Sequence, residues 1–263
     1  MSREPMIVDC HTHISCPDQA VDAQQHQRAC QDVDACFVLA ACESDRSRAN
    51  QQLSEYISEN PKAIGFAVVD PTADPLSRKD LKSVTADLGL RAVVLYCAEG
   101  NYHPAHSRAM RLYELCEEQE LVVFFHNCPP FSPNASLDFS RPWLLDEVAR
   151  TFPGLRFIVG RMGMPYLEQT FCLLSKHANA YADLSINPQK IWQVYNTVLG
   201  AYESAVMDKL LFGSGYPYAL PGVCIETLLG FNKMLSDTHL PQVPREKLRS
   251  IVQRDSLTLL GLT

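Results

Sequence analysis

The sequence predicts an α/β fold, in which eight parallel strands and the helices between them close into a single (β/α)8 TIM barrel. Short, almost continuously apolar runs alternate with helical patterns along the chain, which is typical of a parallel sheet buried on both faces. The length, 263 residues, suits such a barrel. The first apolar run leads into His-x-His, whereas an open dinucleotide-binding sheet would more often continue into a Gly-rich turn. We expect one barrel domain over residues 1–263.

The predicted elements follow one another without a domain boundary, a repeat or a low-complexity tract. The predicted strands cover residues 6–10, 36–41, 64–69, 91–96, 121–126, 157–160, 181–185 and 210–213. The predicted helices cover residues 21–33, 46–60, 75–88, 107–120, 142–151, 167–177 and 191–206, with C-terminal closing helices at 225–235 and 245–260. A long polar loop, residues 127–141, follows the fifth strand, and we expect it to cover the barrel mouth as a lid.

Composition excludes several classes of function. The net charge of −7 argues against nucleic acid as a partner, because phosphate binding needs clustered Lys and Arg. No apolar run approaches the ~20 residues that cross a bilayer, and the N-terminus lacks the pattern of a signal peptide, so we expect no membrane partner and a cytoplasmic protein. The sequence has ten cysteines and no Cys-x-x-Cys pair. We therefore expect the cysteines to be small, buried hydrophobic residues. Cys10, Cys97 and Cys128 are exceptions, because each falls near a predicted strand end.

The stretch Asp9-Cys10-His11-Thr12-His13 is the first candidate site. Side chains two residues apart on a strand point to one face, so Asp9, His11 and His13 are expected to converge. Two neutral imidazoles at the C-terminal end of a strand make good ligands for Zn²⁺ or a similar ion. The active site of a (β/α)8 barrel lies at that end of the strands. The pattern therefore indicates descent from a metal-binding protein. Whether this chain itself binds a metal is a separate question.

Several motifs in barrel order resemble the amidohydrolase superfamily, and most closely its amidohydrolase-2 branch, which includes the aminocarboxymuconate-semialdehyde decarboxylase group. The resemblance extends over nearly the whole chain. The motifs that carry it are Asp9-Cys-His-Thr-His, Phe125-His-Asn, Pro153-Gly-Leu-Arg-Phe-Ile-Val-Gly-Arg-Met-Gly, Tyr181-Ala-Asp-Leu-Ser, Phe212-Gly-Ser-Gly-Tyr-Pro and Ser256-Leu-Thr-Leu-Leu-Gly-Leu.

The resemblance implies one divalent metal, with zinc first, held at the barrel mouth by His11, His13 and His126. It also implies a sixth-strand histidine and an eighth-strand aspartate, and this chain departs from the branch at both places by having Arg161 and Gly215. Glycine cannot bind a metal or move a proton, and arginine stays protonated. A fixed cation would also repel Zn²⁺, by several kcal/mol at about 4 Å and an effective dielectric of about 20.

Three interpretations remain open at this point. In the first, the three histidines still hold a metal, and Arg161 clamps a substrate carboxylate in bidentate fashion. In the second, the guanidinium has replaced the metal and pairs with Asp9, so that the pocket binds a small acidic ligand without turnover. In the third, the site is a relic on a scaffold protein. Arg161 and Asp9 are the candidate catalytic residues.

Four further residues are candidates for substrate binding. Tyr96 and Ser214 end the fourth and eighth strands, Arg141 ends the long loop, and Trp143 lies just beyond it. Asp183 ends the seventh strand, and two alternatives are open for it: a partner that orients a metal ligand, if its side chain faces the barrel interior, or a helix-start residue.

The predicted function is a metal-dependent hydrolase or decarboxylase acting on a small, carboxylate-bearing organic substrate through a degraded metal and base site. The alternative is a catalytically inactive small-molecule-binding or scaffold protein on the same fold. A homo-oligomer is expected from the resemblance alone.

Overall fold

Eight parallel strands pair in chain order in the computed structural model, which describes residues 5–15, 22–127 and 131–263. The strands are β1 (Val8–Thr12), β2 (Ala35–Leu39), β3 (Ala63–Val68), β4 (Ala92–Leu95), β5 (Val122–Phe125), β6 (Phe157–Val159), β7 (Ala180–Ser185) and β8 (Leu210–Gly213). The chain beyond β8 returns to β1, where Gly215 N–H donates to the His11 carbonyl at 2.9 Å and His13 N–H donates to the Tyr216 carbonyl at 3.0 Å. The predicted TIM barrel is confirmed.

Helices alternate with the strands and cover the outside of the barrel. They are α1 (Ala23–Ala29), α2 (Arg46–Glu59), α3 (Arg78–Val84), α4 (Ser107–Glu118), α5 (Asp146–Thr151), α6 (Leu167–Lys176), α7 (Ile191–Glu203), α8 (Pro221–Leu229), α9 (Arg245–Val252) and α10 (Ser256–Leu260). The single closing helix predicted at 245–260 is wrong, because Asp255 caps a new helix by accepting from the Thr258 N–H at 3.0 Å. None of the described helices has both the length and the apolar character to span a bilayer.

The strands are buried almost throughout, as the apolar runs predicted. The cysteines fit that prediction only in part. Among those in the described part of the chain, Cys10 and Cys97 are buried with four others, whereas Cys42 and Cys172 are exposed. Cys128, which was singled out from the sequence, lies outside the described residues.

β1 carries an irregularity at the place where the candidate ligands begin. Asp9 pairs with Cys36 and Thr12 with Val38, so β1 has one more residue than β2 over this interval. Such a bulge is common beside active sites, where it redirects side chains. The strand also runs two residues further than predicted, so that His11 lies within it and the next candidate ligand directly follows it.

A buried hydrogen-bond chain fixes Thr12, the residue between the two histidines, to the outer layer. Thr12 Oγ1 donates to the Phe37 carbonyl at 2.7 Å. A carbonyl only accepts, so Thr12 Oγ1 must accept from His26 Nε2–H on α1, at 2.8 Å. His26 Nδ1 then accepts from the Tyr56 hydroxyl on α2, at 2.6 Å. Helices α1 and α2 thereby set the position of the end of β1.

Thr12→Val should destabilise the fold by about 2–4 kcal/mol, because the near-isosteric change removes the hydroxyl that a buried His26 N–H and the Phe37 carbonyl both bond. Thr12→Ser is the matched control, because it keeps the hydroxyl and should cost less than about 1.5 kcal/mol. Urea unfolding of the three proteins measures both values. Equal losses for the valine and serine variants would contradict the hydrogen-bond chain.

Candidate metal centre

Three imidazoles meet at the mouth of the barrel. His11 and His13 come from the end of β1, and His126 directly follows β5. The three ring centroids are each 5.3 Å apart, and the rings stand edge to face with one another. One nitrogen from each ring lies within 4.8 Å of those of the other two. The three predicted metal ligands therefore do come together.

Hydrogen bonds at the far side of two rings fix which nitrogen faces the centre of this triangle. His11 Nδ1 lies 3.1 Å from Asp183 Oδ2, and His13 Nδ1 lies 3.1 Å from the Leu39 carbonyl. Both partners are acceptors, so each Nδ1 carries a proton, and each ring in its neutral form keeps a lone pair on Nε2. Burial, followed by the charge of His11, lowers the pKa of His13 to about 3, so this ring is neutral at pH 7.

The two Nε2 atoms lie 3.3 Å apart. Two nitrogens bound to one tetrahedral zinc at about 2.0–2.1 Å would be separated by about 3.3–3.4 Å. Facing lone pairs of two neutral rings repel each other at this distance unless a proton or a metal ion lies between them. The donor set and its spacing therefore fit a divalent metal such as zinc, with a fourth position left open.

His126 completes the triangle against an aromatic wall. Its ring lies 4.4 Å from the Tyr96 ring and 6.4 Å from the Phe124 ring, and Phe124 in turn contacts His11 edge to face at 5.1 Å. Burial, followed by the charges of neighbouring histidines and Arg161, lowers the pKa of His126 well below its usual value. The third ligand is thus also held neutral.

Asp183 is the residue that orients His11. It is fully buried, and its Oδ2 accepts from both His11 Nδ1–H and the Arg161 backbone N–H, the latter at 2.6 Å. Ser185 donates to its other oxygen. Burial opposes ionisation, but the charge of His11 and these hydrogen bonds outweigh it and hold the pKa of Asp183 below its usual range. A carboxylate behind a ligand histidine fixes the tautomer and raises the basicity of the ring.

Asp9 lies deeper in the barrel than the imidazoles, at the seam between β1 and β8. Its Oδ1 accepts from the backbone N–H groups of His11 at 3.1 Å and Ser214 at 2.9 Å. Its Oδ2 has no hydrogen-bond partner within the described ranges. Burial outweighs the hydrogen bonds from Ser214 and raises the pKa of Asp9 to about 6. Asp9, a candidate catalytic residue, thus helps to close the barrel by joining β1 to the residue that follows β8.

Arg161 follows β6 in a left-handed turn. Three consecutive residues have positive φ, namely Arg161 at 45°, Met162 at 54° and Gly163 at 63°. This conformation costs roughly 1–2 kcal/mol for each residue other than glycine. Asp183 stabilises the turn by accepting the Arg161 N–H, and Thr170 Oγ1 on α6 donates to the Met162 carbonyl at 2.8 Å. Strain held in place by such contacts is typical of functional sites.

The guanidinium of Arg161 lies against the end of β8. A Cβ atom built on Gly215 would be 3.1 Å from Arg161 Nη2 and 3.5 Å from the Cβ of Ser185. Gly215 itself has φ of +67°. Arg161 Cζ also lies 5.5 Å from the centre of the Tyr218 ring, a cation–π distance. The arginine therefore borders the volume that a side chain at position 215 would enter.

Comparison with known proteins agrees with this geometry. The family model described as Amidohydrolase, of the amidohydrolase-2 type, matches residues 8–251. The chain belongs to this amidohydrolase family. The family typically binds a divalent metal, and the three histidines of this amidohydrolase form a group that could hold one. No curated protein sequence matches the chain.

Solved structures of similar fold cover nearly all of this amidohydrolase. A probable 2-pyrone-4,6-dicarboxylic acid hydrolase from Acinetobacter baumannii, with citric acid bound, has a TM-score of 0.69 at 15% identity, covering 97% of this chain and 99% of that one. A 2,6-dihydroxybenzoate decarboxylase from Rhizobium has a TM-score of 0.67 at 14% identity, covering 98% and 99%. A 5-carboxyvanillate decarboxylase from Sphingomonas paucimobilis has a TM-score of 0.66 at 12% identity, covering 99% and 100%. At these identities the likeness shows the fold.

The four predicted substrate-binding residues of the amidohydrolase take different places, and their roles stay predictions. Tyr96 lies beside His126, but its hydroxyl donates to the Ala40 carbonyl at 2.7 Å. Ser214 is fully buried, with its N–H on Asp9. This burial favours a structural role for the serine.

The two loop residues lie further from the triangle. Arg141 donates to Asp138 at 2.6 Å, and its buried Nε–H has no partner in the part of the chain that the structure describes. It lines a cleft of about 20 Å³ beside His126, room for about one water molecule. Trp143 is 55% exposed. Neither residue has a described contact with the three imidazoles, so the lid over the mouth also stays a prediction.

A second cluster of candidate ligands is better explained as core. His26, Cys30 and Cys36 offer ligand atoms within 4.8 Å of one another. Both His26 nitrogens are already hydrogen-bonded, and the Cys30 sulfur lies 3.7 and 3.9 Å from the two of them. A sulfur almost equidistant from both nitrogens lies off both lone-pair directions. The described geometry of this cluster therefore fits side-chain packing in the core and does not fit the coordination of an ion.

Sequence reasoning gave Asp183 only a minor role and missed one other contributor to the site. The Leu39 carbonyl sets the tautomer of His13. Every residue has a backbone carbonyl, so no residue type in the sequence signals this contact. Asp183 could be recognised as a residue near the end of a barrel strand, but only the strand register shows that it faces inward.

Asp183→Asn should lower zinc affinity by about 10- to 100-fold, because it removes the charge behind His11 while keeping the shape of the side chain. Isothermal titration calorimetry on protein stripped of metal measures the change. Asp146→Asn, on the exposed carboxylate beside Lys176, is the control and should leave zinc affinity unchanged. A full-affinity Asp183→Asn protein would exclude the orienting role.

Arg161→His combined with Gly215→Asp should raise the metal content per chain, because it removes the cation and adds a carboxylate ligand. Gly215→Asp alone should raise it much less, since the new side chain would start 3.1 Å from Arg161 Nη2 and pair with the guanidinium. Elemental analysis after dialysis against zinc gives the content. A double variant that holds no more metal than the parent would show that Arg161 does not oppose metal binding.

Proposed function

We propose that this protein is a metal-dependent hydrolase or decarboxylase that acts on a small organic substrate bearing a carboxylate. The observation that carries the proposal is the pair of Nε2 atoms 3.3 Å apart, completed by His126. Three neutral nitrogens favour zinc as the metal. A divalent ion held there would polarise a substrate oxygen and lower the pKa of a bound water toward about 7.

The protein's own side chains would divide the remaining tasks. Asp183 keeps the His11 lone pair aimed at the centre of the site. Arg161 offers a guanidinium whose planar donors match a carboxylate, so it is the proposed group for substrate recognition and orientation. The Tyr96 ring forms an aromatic wall beside His126, suited to a planar substrate.

The named activities of structural neighbours support the carboxylate class. The neighbours include enzymes named for a pyrone dicarboxylic acid, a dihydroxybenzoate and a carboxyvanillate. Each of these names contains a carboxylated ring. The compatibility of Arg161 with such a substrate is the reason for extending the class to this chain.

A second candidate function is binding of a carboxylate ligand without turnover. Gly215 favours it, because glycine supplies neither the ligand nor the proton carrier of the family pattern. Asp9 is limited as a replacement for that group, since its Oδ1 is committed to backbone N–H groups at the seam of the barrel and only Oδ2 is left. The two functions share the same site and differ in whether bonds in the ligand break. Self-assembly into a homo-oligomer is also a proposal.

Turnover by metal-loaded protein separates the two candidates. We expect protein loaded with zinc or manganese to release carbon dioxide from 2,6-dihydroxybenzoate or 5-carboxyvanillate, or to open the ring of 2-pyrone-4,6-dicarboxylate. His11→Ala with His13→Ala should reduce both metal content and rate by more than about 100-fold, since losing supporting partners alone costs 10- to 100-fold. His239→Ala, on an exposed histidine, is the control. Metal-loaded protein that binds these acids and leaves them intact supports the binding function.

A further inference from the structure

A small cleft lies beside His126, between the end of β5 and the end of the long loop. Asn127 and Arg141 are the polar residues that border it from these two sides. Much of the remaining lining is apolar and includes the side chains of Phe125, Leu145 and Val159. The volume of the cleft is about 20 Å³, so it has room for one molecule of the size of water.

Asn127 brings a buried acceptor to this cleft. The residue is 5% exposed, and its Nδ2 donates to the Ser140 carbonyl at 3.0 Å. Because that carbonyl can only accept, the bond fixes the orientation of the amide and identifies the other atom as Oδ1. Asn127 Oδ1 has no hydrogen-bond partner over residues 5–15, 22–127 and 131–263.

Arg141 brings a buried donor. Its Nη2 donates to Asp138 at 2.6 Å, whereas its Nε–H is buried and has no partner among the residues that the structure describes. A guanidinium stays protonated and offers only donors. Within the described ranges, the residues that border the cleft thus carry one unpaired acceptor and one unpaired donor, and burying such groups without partners costs free energy.

We propose that this cleft binds one internal water molecule, which accepts a hydrogen bond from Arg141 Nε–H and donates one to Asn127 Oδ1. The water connects the residue that follows His126 to the last residue of the long loop. It goes beyond the proposed function and does not depend on it, because none of its contacts uses a metal or a substrate.

Water is the ligand that suits both groups. A metal cation or an ammonium ion could bind the amide oxygen, but the positive guanidinium would repel it. Chloride could accept from the N–H, but it would face the partial negative charge of the amide oxygen. Water accepts from one group and donates to the other, and internal waters commonly satisfy buried polar groups in this way.

The bound water bears on the role of Arg141. Two of the three guanidinium nitrogens are then used within the protein, Nη2 by Asp138 and Nε by the water. Bidentate recognition of a carboxylate needs two parallel N–H donors from one guanidinium. Arg141 is therefore poorly suited to bind a substrate carboxylate in that fashion, and its main contribution is to hold the end of the loop against Asn127.

A high-resolution crystal structure of the full-length protein tests the site directly. We expect density for one water within about 2.7–3.2 Å of both Asn127 Oδ1 and Arg141 Nε. Crystals soaked in bromide distinguish water from an anion, because bromide gives an anomalous signal and none is expected in the cleft. Absence of the water, direct contact between the two side-chain atoms, or bromide in the cleft overturns the proposal.

A double-mutant cycle tests the bridge in solution. Asn127→Leu and Arg141→Met each remove one partner of the water, so their effects on the unfolding equilibrium constant should not combine independently. We expect the double variant to differ from the product of the two single effects by about 3- to 10-fold, the range for one hydrogen bond. Urea unfolding gives the constants, and effects that simply multiply overturn the bridge.

Arg111→Met is the matched control for this cycle. Arg111 pairs with Glu114 three residues away on the surface, as Arg141 pairs with Asp138. Its effect should multiply with that of Asn127→Leu, because Arg111 lies on the outside of α4. Coupling of equal size in the control cycle would overturn the bridge. If a variant does not fold, the crystal structure of the wild-type protein still decides the proposal.

Discussion

Two imidazole nitrogens held 3.3 Å apart, each with its proton on the opposite side of the ring, are the constraint on which the rest of the site depends. Neither lone pair can turn away, because Asp183 and the Leu39 carbonyl hold the far nitrogens. The surrounding structure must supply the free energy that keeps them together. It does so through the bulge in β1, the buried Thr12 hydroxyl and the helices behind it.

The departures at positions 161 and 215 are best understood as one change. Arginine in the left-handed turn after β6 fits beside β8 because glycine leaves room there. An aspartate at position 215 would meet the guanidinium before it met an ion. Under the proposed function, this pair would favour an anionic ligand at the site, while the three histidines stay in place.

The repetitive parts of the structure could be predicted from the sequence, and the exceptions have physical causes. Strand order, barrel closure and the meeting of His11, His13 and His126 follow from apolar runs and from the rule that strand ends share one face. The break between α9 and α10 was missed because a local cap at Asp255 overrides the helical pattern. The inward direction of Asp183 depends on register, which the pattern of a strand buried on both faces leaves open.

The left-handed turn at Arg161 has a consequence for how such sites diversify. Its shape is maintained from outside the pocket, by Thr170 on α6 and by Gly163, whose missing Cβ makes room for Pro142. None of these contacts involves the side chain at position 161, and the bond to Asp183 uses only its backbone N–H. The turn therefore keeps its backbone conformation whichever side chain position 161 carries. A single substitution can exchange an imidazole for a guanidinium there without a change in the loop.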